Sequence, residues 1–135
     1  MSFVLTKLPT AGGFFSGKYR SANQPDAGRF SDVSNTGKPY RERYFHTPYF
    51  KALDLIEPVA QKHGLTLLEI ALRWATHHSA LNTRAKGGND GIIIGVSNFE
   101  QLESNLNDLE KGPLPEEVVK TLDEAWAIVK PAAPV

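Results

Sequence analysis

The residues whose types and spacing best suit chemistry follow an apolar run at residues 92–94. Ser97 and Asn98 stand between this run and an amphipathic one. Ser97-x-x-Glu100 and Asn98-x-x-Gln101 both have the form of a capping box, so a helix is predicted to begin here whichever residue is the cap. Its N-terminus would offer N–H groups and the positive end of its dipole to an anion, and phosphate is the obvious candidate. The alternative is an ordinary βα turn with a well-made cap and no ligand.

A second candidate is the segment of residues 19–44, in which basic and aromatic residues are unusually frequent. Free arginines beside aromatic side chains suit an anionic or planar ligand. The segment has no clear period, which predicts a long surface loop, and such loops are usually functional or disordered. A solvated, partly ordered loop without a ligand is the alternative. The residues concerned are Arg20, Arg29, Phe30, Tyr40, Arg41, Arg43 and Tyr44.

Composition excludes several other classes of function. The 15 basic residues balance 15 acidic ones, so no broad surface for nucleic acid or anionic membranes is expected. No apolar run has membrane-spanning length, and residues 1–5 are too short for a signal peptide. The absence of cysteine rules out thiolate sites and fits a reducing compartment, so we expect a cytoplasmic protein.

The chain offers no recognised metal or phosphate loop either. His46, His63, His77 and His78 are not at metal-ligand spacing, and there is no HExxH. The glycine-rich residues 10–18 form neither a P-loop nor a GxGxxG fingerprint. We interpret the adjacent His77 and His78, near a predicted helix end, as a favourable dipole contact or a surface feature.

The elements that position these residues alternate between strand and helix. Residues 3–8 predict one strand, and residues 91–96 predict a second that is buried on both faces. With helices following each strand, the order is that of an α/β protein with a parallel sheet. Two parallel strands are too few to be covered and closed by this chain alone. We therefore expect a part of a larger α/β architecture: a fragment, a truncated product, or a protomer completed by another chain in a homo-oligomer.

Local signals also set the helix boundaries. Thr47 is the predicted N-cap of the first helix, with Pro48 in its first position and a bend or split at Pro58. Gly64 is its predicted stop, and Thr66-x-x-Glu69 caps the next helix. The predicted inward faces are Phe50, Leu53, Ile56 and Ala60; Leu67, Ile70, Ala71 and Trp74; Phe99, Leu102, Leu106 and Leu109; and Val118, Val119, Leu122, Ala125, Trp126 and Val129.

A series of motifs resembles, in order, the C-terminal part of the aldo/keto reductases: TAGGFFSGKY, GRF, YRERYF, ALRWATHHSAL, GIIIGVSNFEQLESNL and GPLPEEVV. The match runs from about Pro9 to Val129 and is most similar to the aflatoxin-aldehyde reductase branch. It implies a partial (β/α)8 TIM barrel, formed by the last two βα units and a C-terminal helix. Residues 3–8 would be the seventh strand and residues 91–96 the eighth. Residues 1–135 would then be the C-terminal portion of an NADP-dependent oxidoreductase domain that reduces aldehydes or ketones.

The resemblance also implies a site for NADPH and a small-molecule carbonyl substrate. Residues 9–18 would run along the pyrophosphate, and residues 97–105 would hold the 2′-phosphate and adenine. Barrel ligands lie at the C-terminal ends of the strands, often with phosphate at the last two loops. Tyr40 and Arg43 would line the substrate end. The implied cofactor-binding residues are Pro9, Ala11, Gly12, Ser16, Gly17, Lys18, Arg29, Ser97, Asn98, Gln101 and Asn105.

The chain departs from the family pattern at positions that matter for function. The family commonly has Ser-Ser where this chain has Ser97-Asn98, although asparagine still caps and donates. The catalytic aspartate, tyrosine, lysine and histidine of the family lie on earlier strands, and no motif here matches them, so no catalytic residue is predicted. Two alternatives therefore stand beside a reductase part: a non-catalytic nucleotide-binding or regulatory module, and a truncated gene product without independent activity.

Overall fold

A computed structural model of the chain describes residues 4–6, 37–44 and 46–133. Short 3₁₀ turns occur at Arg84–Lys86 and Lys130–Ala132. The described part is a mostly helical α/β fold with a small parallel sheet, as the strand and helix order predicted. Its helices and strands, in chain order, are β1 (Leu5–Thr6), α1 (Gly37–Tyr44), α2 (Thr47–Lys62), α3 (Leu67–His77), β2 (Gly91–Ile92), α4 (Phe99–Glu110) and α5 (Glu116–Val129).

The sheet pairs β1 and β2 in parallel, with Leu5 opposite Gly91 and Thr6 opposite Ile92. The Gly91 N–H donates to the Val4 carbonyl at 2.9 Å, and the Ile93 N–H donates to the Thr6 carbonyl at 2.8 Å. The prediction that residues 91–96 are buried on both faces is wrong, because Ile93 is 50% exposed. In the described part of the chain each strand has a single neighbour, so both are edge strands.

Asp90 connects the two strands through its carboxylate. One oxygen accepts from the Val4 N–H and the other from the Asn82 N–H, both at 2.7 Å. These two backbone hydrogen bonds lower the pKa of Asp90. The start of β1 is therefore held to the loop that leads into β2.

Helix α1 corrects the prediction of a continuous loop over residues 19–44. Its eight residues, Gly37–Tyr44, end that segment, and they include Tyr40 and Arg43. An exposed Lys38–Glu42 ion pair at 3.8 Å has the i,i+4 spacing that supports a helix. Because the helix has no apolar stripe, hydrophobic periodicity gave no sign of it.

Helix α2 begins at Thr47, one residue earlier than predicted. His46, extended at φ −123° and ψ 145°, is the N-cap instead of Thr47, and Pro48 lies in the first turn as predicted. The expected split at Pro58 is also wrong, because α2 runs without interruption to Lys62. Pro58 is exposed, so the carbonyl that its missing N–H leaves free lies on the solvent side of the helix.

Packing of α2 against α5 and α3 forms the core. The predicted inward face of α2 is confirmed, and α3 buries three of its four predicted residues. Of the six predicted for α5, Val118 and Ala125 are buried, three are half-buried against the core, and Trp126 is exposed. At one end of this contact, Glu117 of α5 accepts from Lys62 at 2.9 Å and contacts His63 at 2.8 Å. The buried apolar residues of the cluster are Phe50, Ala52, Leu53, Ile56, Ala60, Leu67, Ile70, Leu114, Val118 and Ala125.

Two predicted core tryptophans are not buried. Trp126 is 52% exposed and Trp74 is 39% exposed. Both line an apolar cavity of about 840 Å³ between the sheet and α2, α3 and α5, which we call the apolar groove. Val4, Ile56 and Leu122 line the same groove. The helix faces were thus identified correctly, but these two side chains face open space instead of a neighbouring element.

No described helix combines the length and the apolar character needed to cross a membrane.

Candidate functional site at the start of helix α4

The cap of α4 brings together three of the predicted site residues. Asn98 is the N-cap, and its Oδ1 accepts from the Gln101 N–H at 2.9 Å. The Gln101 Oε1 in turn accepts from the backbone N–H and the hydroxyl of Ser97, each at 3.1 Å. The prediction of a helix start is confirmed, with Asn98 as its cap. Ser97, Asn98 and Gln101 therefore form one polar cluster, which we call the α4 cap.

The α4 cap faces solvent. Ser97, Asn98, Phe99 and Gln101 are all exposed, and Phe99 is 73% exposed. The first N–H groups of a helix have no partner within the helix, and Asn98 satisfies that of Gln101 only. The exposed end of α4 thus presents N–H groups, a hydroxyl and two side-chain amides, which is a donor set suited to an anion.

The predicted inward stripe of α4 is wrong in part. Phe99 and Leu106 are exposed, while Leu102 and Leu109 are half-buried. The buried residues of α4 are instead two polar ones, Asn105 and Asp108. The spacing predicted that the apolar stripe of α4 faces a core, but the helix face that packs toward α3 is polar.

Asn105 lies one turn after Gln101 and is 6% exposed. Its Oδ1 is enclosed. Among the buried side-chain nitrogen and oxygen atoms of the described ranges, it is the one without a hydrogen-bond partner. Leaving a buried acceptor unsatisfied costs about 1–3 kcal/mol. A ligand donor that paired with this amide after a rotation of the side chain would recover that cost.

The other end of α4 is anchored by charged side chains. Glu69 of α3 is buried and accepts from Lys111 Nζ at 2.7 Å and from Arg73 at 3.2 Å. Lys111 also contacts Asp108 at 3.0 Å. Burial alone would raise the pKa of Glu69, but the hydrogen bonds and charges of Lys111 and Arg73 lower it overall. Hydrogen bonds to Glu69 and then to Asp108 raise the pKa of Lys111.

Three side chains at the end of α3 bind the backbone of residues 111–114. Arg73 donates to the Gly112 and Pro113 carbonyls at 2.8 and 2.7 Å. His77 Nε2 bonds to the Lys111 carbonyl at 2.8 Å, and His78 Nε2 accepts from the Leu114 N–H at 2.9 Å. His77 and His78 are therefore neither free surface residues nor simple dipole partners. Their contacts join positions 34 and 36 residues apart, and no local sequence pattern signals this.

The remaining predicted site residues are placed less fully. Tyr40 and Arg43 have helical backbone in α1, and their role at a substrate end stays a prediction. The described residues include no group of three or more histidine, aspartate or glutamate side chains able to hold a metal ion. The predicted cofactor residues that lie outside the described ranges are Pro9, Ala11, Gly12, Ser16, Gly17, Lys18 and Arg29.

Comparison with known proteins shows the family to which this chain belongs. Residues 3–127 match the aldo/keto reductase family, and the chain belongs to that family. The resemblance of its motifs is thereby confirmed.

Individual relatives show how similar the sequences are and how much of each chain the match covers. An aldo-keto reductase of Pseudocercospora fijiensis is 49% identical over 123 residues, which cover 90% of this chain and 40% of the relative. Aflatoxin B1 aldehyde reductase member 2 of Mus musculus is 38% identical over 135 residues, which cover 93% of this chain and 35% of the relative. The chain thus spans between about a third and two fifths of the length of these relatives.

Proposed function

We propose that this chain is the C-terminal, cofactor-binding part of an NADPH-dependent aldo/keto reductase that reduces aldehydes or ketones to alcohols. The observation that carries the proposal is the α4 cap, with Asn105 one turn further along the same helix. These residues stand shortly after the carboxyl end of β2, and in parallel α/β folds ligands bind at that end of the strands.

The residues present suit the adenosine 2′-phosphate end of NADPH. A phosphate at the α4 cap would accept from the first N–H groups of α4 and from side-chain amides, and from the Ser97 hydroxyl if that turned away from Gln101, with the helix dipole favouring its charge. The unsatisfied Asn105 Oδ1 suits the amino group of adenine, which is a donor. When bound, NADPH supplies a hydride to the carbonyl carbon of the substrate. This chain's described residues hold and orient the cofactor, and no group in them is assigned as the proton donor.

The apolar groove supports a place within a larger barrel. Complete barrels of this class have about 250 residues, well beyond the length of this chain. The groove, the exposed Trp74 and Trp126 and the uncovered Ile93 form an apolar surface that further βα units would bury. We propose that those units also supply the catalytic groups, and that the complete enzyme works on small carbonyl compounds in the cytoplasm.

The second candidate is a nucleotide-binding module without catalysis. It is favoured by the lack of any match to the family's catalytic residues in the sequence. Both candidates require NADPH binding, and they differ in turnover by the complete protein, since neither assigns catalytic groups to this chain. We expect the purified 135-residue chain to bind NADPH and to show little or no oxidation of it with an aromatic aldehyde. Robust NADPH oxidation would contradict the absence of catalytic groups and exclude the second candidate.

Binding by isothermal titration calorimetry tests the proposed site. Because NADH lacks the 2′-phosphate, its dissociation constant should be at least about tenfold higher than that of NADPH. Asn105→Ala and Gln101→Ala should each weaken NADPH binding by roughly five- to tenfold, the effect of losing one hydrogen bond.

The matched control is Asn107→Ala, which removes an exposed amide from the same helix. It should leave the affinity unchanged. Equal affinities for NADPH and NADH, or equal losses from Asn105→Ala and Asn107→Ala, would contradict the assignment of the site.

A further inference from the structure

The contact between His78 and Leu114 constrains the protonation of this histidine. The Leu114 N–H donates to His78 Nε2 at 2.9 Å. A ring nitrogen accepts a hydrogen bond only when it carries no proton, so neutral His78 must hold its proton on Nδ1. Leu114 is 5% exposed and belongs to the core cluster, and its N–H hydrogen bond to His78 is part-buried, so losing this partner costs free energy. Protonation of Nε2 would set two donors against each other in a part-buried place.

The surroundings of His78 disfavour its positive charge. Burial lowers the pKa of His78 most, and the positive charges of His77, Arg73 and Lys86 lower it further. The carboxylates of Glu69 on α3 and Asp108 on α4 are paired with Arg73 and Lys111. The charges that act on His78 are Arg73 and His77 on α3 and Lys86 in the 3₁₀ turn, while Lys111, before Leu114, is paired with Glu69 and Asp108.

Residues 111–114 connect this histidine to the proposed cofactor site. They follow directly from the last turn of α4, and Arg73, His77 and His78 bind each of their backbone units in turn. Helix α4 has 12 residues, so its cap lies about 18 Å from this anchor along a single rigid element. A shift of the anchor would therefore also move the α4 cap and Asn105.

We propose that His78 is a pH-sensitive positioning residue for α4: protonation of its Nε2 releases the Leu114 N–H, loosens residues 111–114 from α3 and weakens NADPH binding at the α4 cap. The binding consequence rests on the proposed function, while the release of Leu114 does not. His77 is not expected to act in this way, because its Nε2 bonds to a carbonyl and can donate in either charge state.

The experiment compares wild type with His78→Gln between pH 8 and pH 5. Glutamine offers a carbonyl oxygen near the position of Nε2 and does not titrate. By NMR, protection of the Leu114 amide, corrected for its intrinsic exchange rate, should fall by up to about tenfold per pH unit from the pKa of a free histidine down to the lower pKa of His78 in the fold, level off below that in wild type, and stay level throughout in His78→Gln. The control His77→Gln should behave as wild type. Protection that is level in wild type, or that falls equally in His78→Gln, would overturn the proposal.

NADPH affinity gives the functional measurement on the same proteins. The 2′-phosphate itself titrates near pH 6, so the informative quantity is the ratio of wild-type to His78→Gln affinity at each pH. This ratio should fall about tenfold from pH 8 to pH 5, and a constant ratio would overturn the link to the cofactor. If no variant binds NADPH at pH 8, the proposed function fails, and Leu114 protection still decides whether His78 anchors α4. Should His78→Gln fail to fold, wild-type Leu114 protection set against the NMR titration of His78 itself decides the proposal.

Discussion

Removing the Glu69 carboxylate should measurably loosen α4 from α3. In Glu69→Ala the buried acceptor for Lys111 Nζ at 2.7 Å and Arg73 at 3.2 Å is lost. A hydrogen bond to a charged group contributes about 1.5–3 kcal/mol, and stripping one partner from a fully buried pair costs about 3–5 kcal/mol. The expected cost here is smaller, because both cations keep other partners.

The remaining contacts set the size of the effect. Lys111 is 48% exposed and keeps Asp108, so water and that carboxylate replace most of what it loses. Arg73 is 12% exposed but retains the Gly112 and Pro113 carbonyls. We therefore expect Glu69→Ala to lower the free energy of unfolding by about 2 kcal/mol, or Tm by about 7 °C for a chain of this length.

Urea unfolding at pH 7, followed by circular dichroism, measures this difference. Glu69→Gln keeps an acceptor and most of the packing and should lose about half as much. Glu103→Ala removes an exposed glutamate from α4 and should change the free energy by less than about 0.5 kcal/mol. If Glu69→Ala matched Glu103→Ala, the anchoring role of the carboxylate would be refuted.

Three further predictions concern the same part of the chain. Thr66→Ala should destabilise the fold by about 1 kcal/mol, since Thr66 Oγ1 accepts from the Glu69 N–H at 3.0 Å, and Thr66→Ser should restore most of it in urea titrations. Gly88→Ala should lower Tm much more than Gly112→Ala does. A Cβ at Gly88 would lie 2.0 Å from the Asn82 carbonyl oxygen, whereas one at Gly112 meets nothing within 4 Å. Equal Tm values for the two variants would argue against this packing. The pKa of Glu69 is lowered in the folded chain, so the contribution of Glu69 to the free energy of unfolding is present above the pKa of an unfolded glutamate and is lost as pH falls through the folded pKa. The difference in stability between wild type and Glu69→Gln should therefore close below about pH 4.5. A difference that widened there would contradict this linkage.

Local spacing was sufficient to predict the N-caps of α3 and α4. Thr66-x-x-Glu69 and Asn98-x-x-Gln101 place an oxygen within reach of an N–H three residues on, and both hydrogen bonds are present. The inward face of α2 also follows from spacing, because it packs on elements within the same chain. Capping and periodicity depend on residues a few positions apart, so they can be read from a single sequence.

Contacts between residues far apart in the sequence could not be predicted from such local patterns. Periodicity gave Trp74 and Trp126 the correct helix faces, but it carries no information about which element covers them. The contacts of Asp90 with Val4 and of His78 with Leu114 join positions 86 and 36 residues apart, and no spacing rule relates them. Helix α1 was missed for a different reason, since it has no apolar face to reveal its period.

The central claim is that the start of α4 holds the 2′-phosphate end of NADPH, and a backbone amide NMR titration of the chain with NADPH and with NADH tests it most directly. The claim predicts chemical-shift changes concentrated at Ser97, Asn98, Gln101 and Asn105, which saturate at a lower concentration of NADPH than of NADH. Changes centred elsewhere in the described fold, or the same response to both nucleotides, would contradict it.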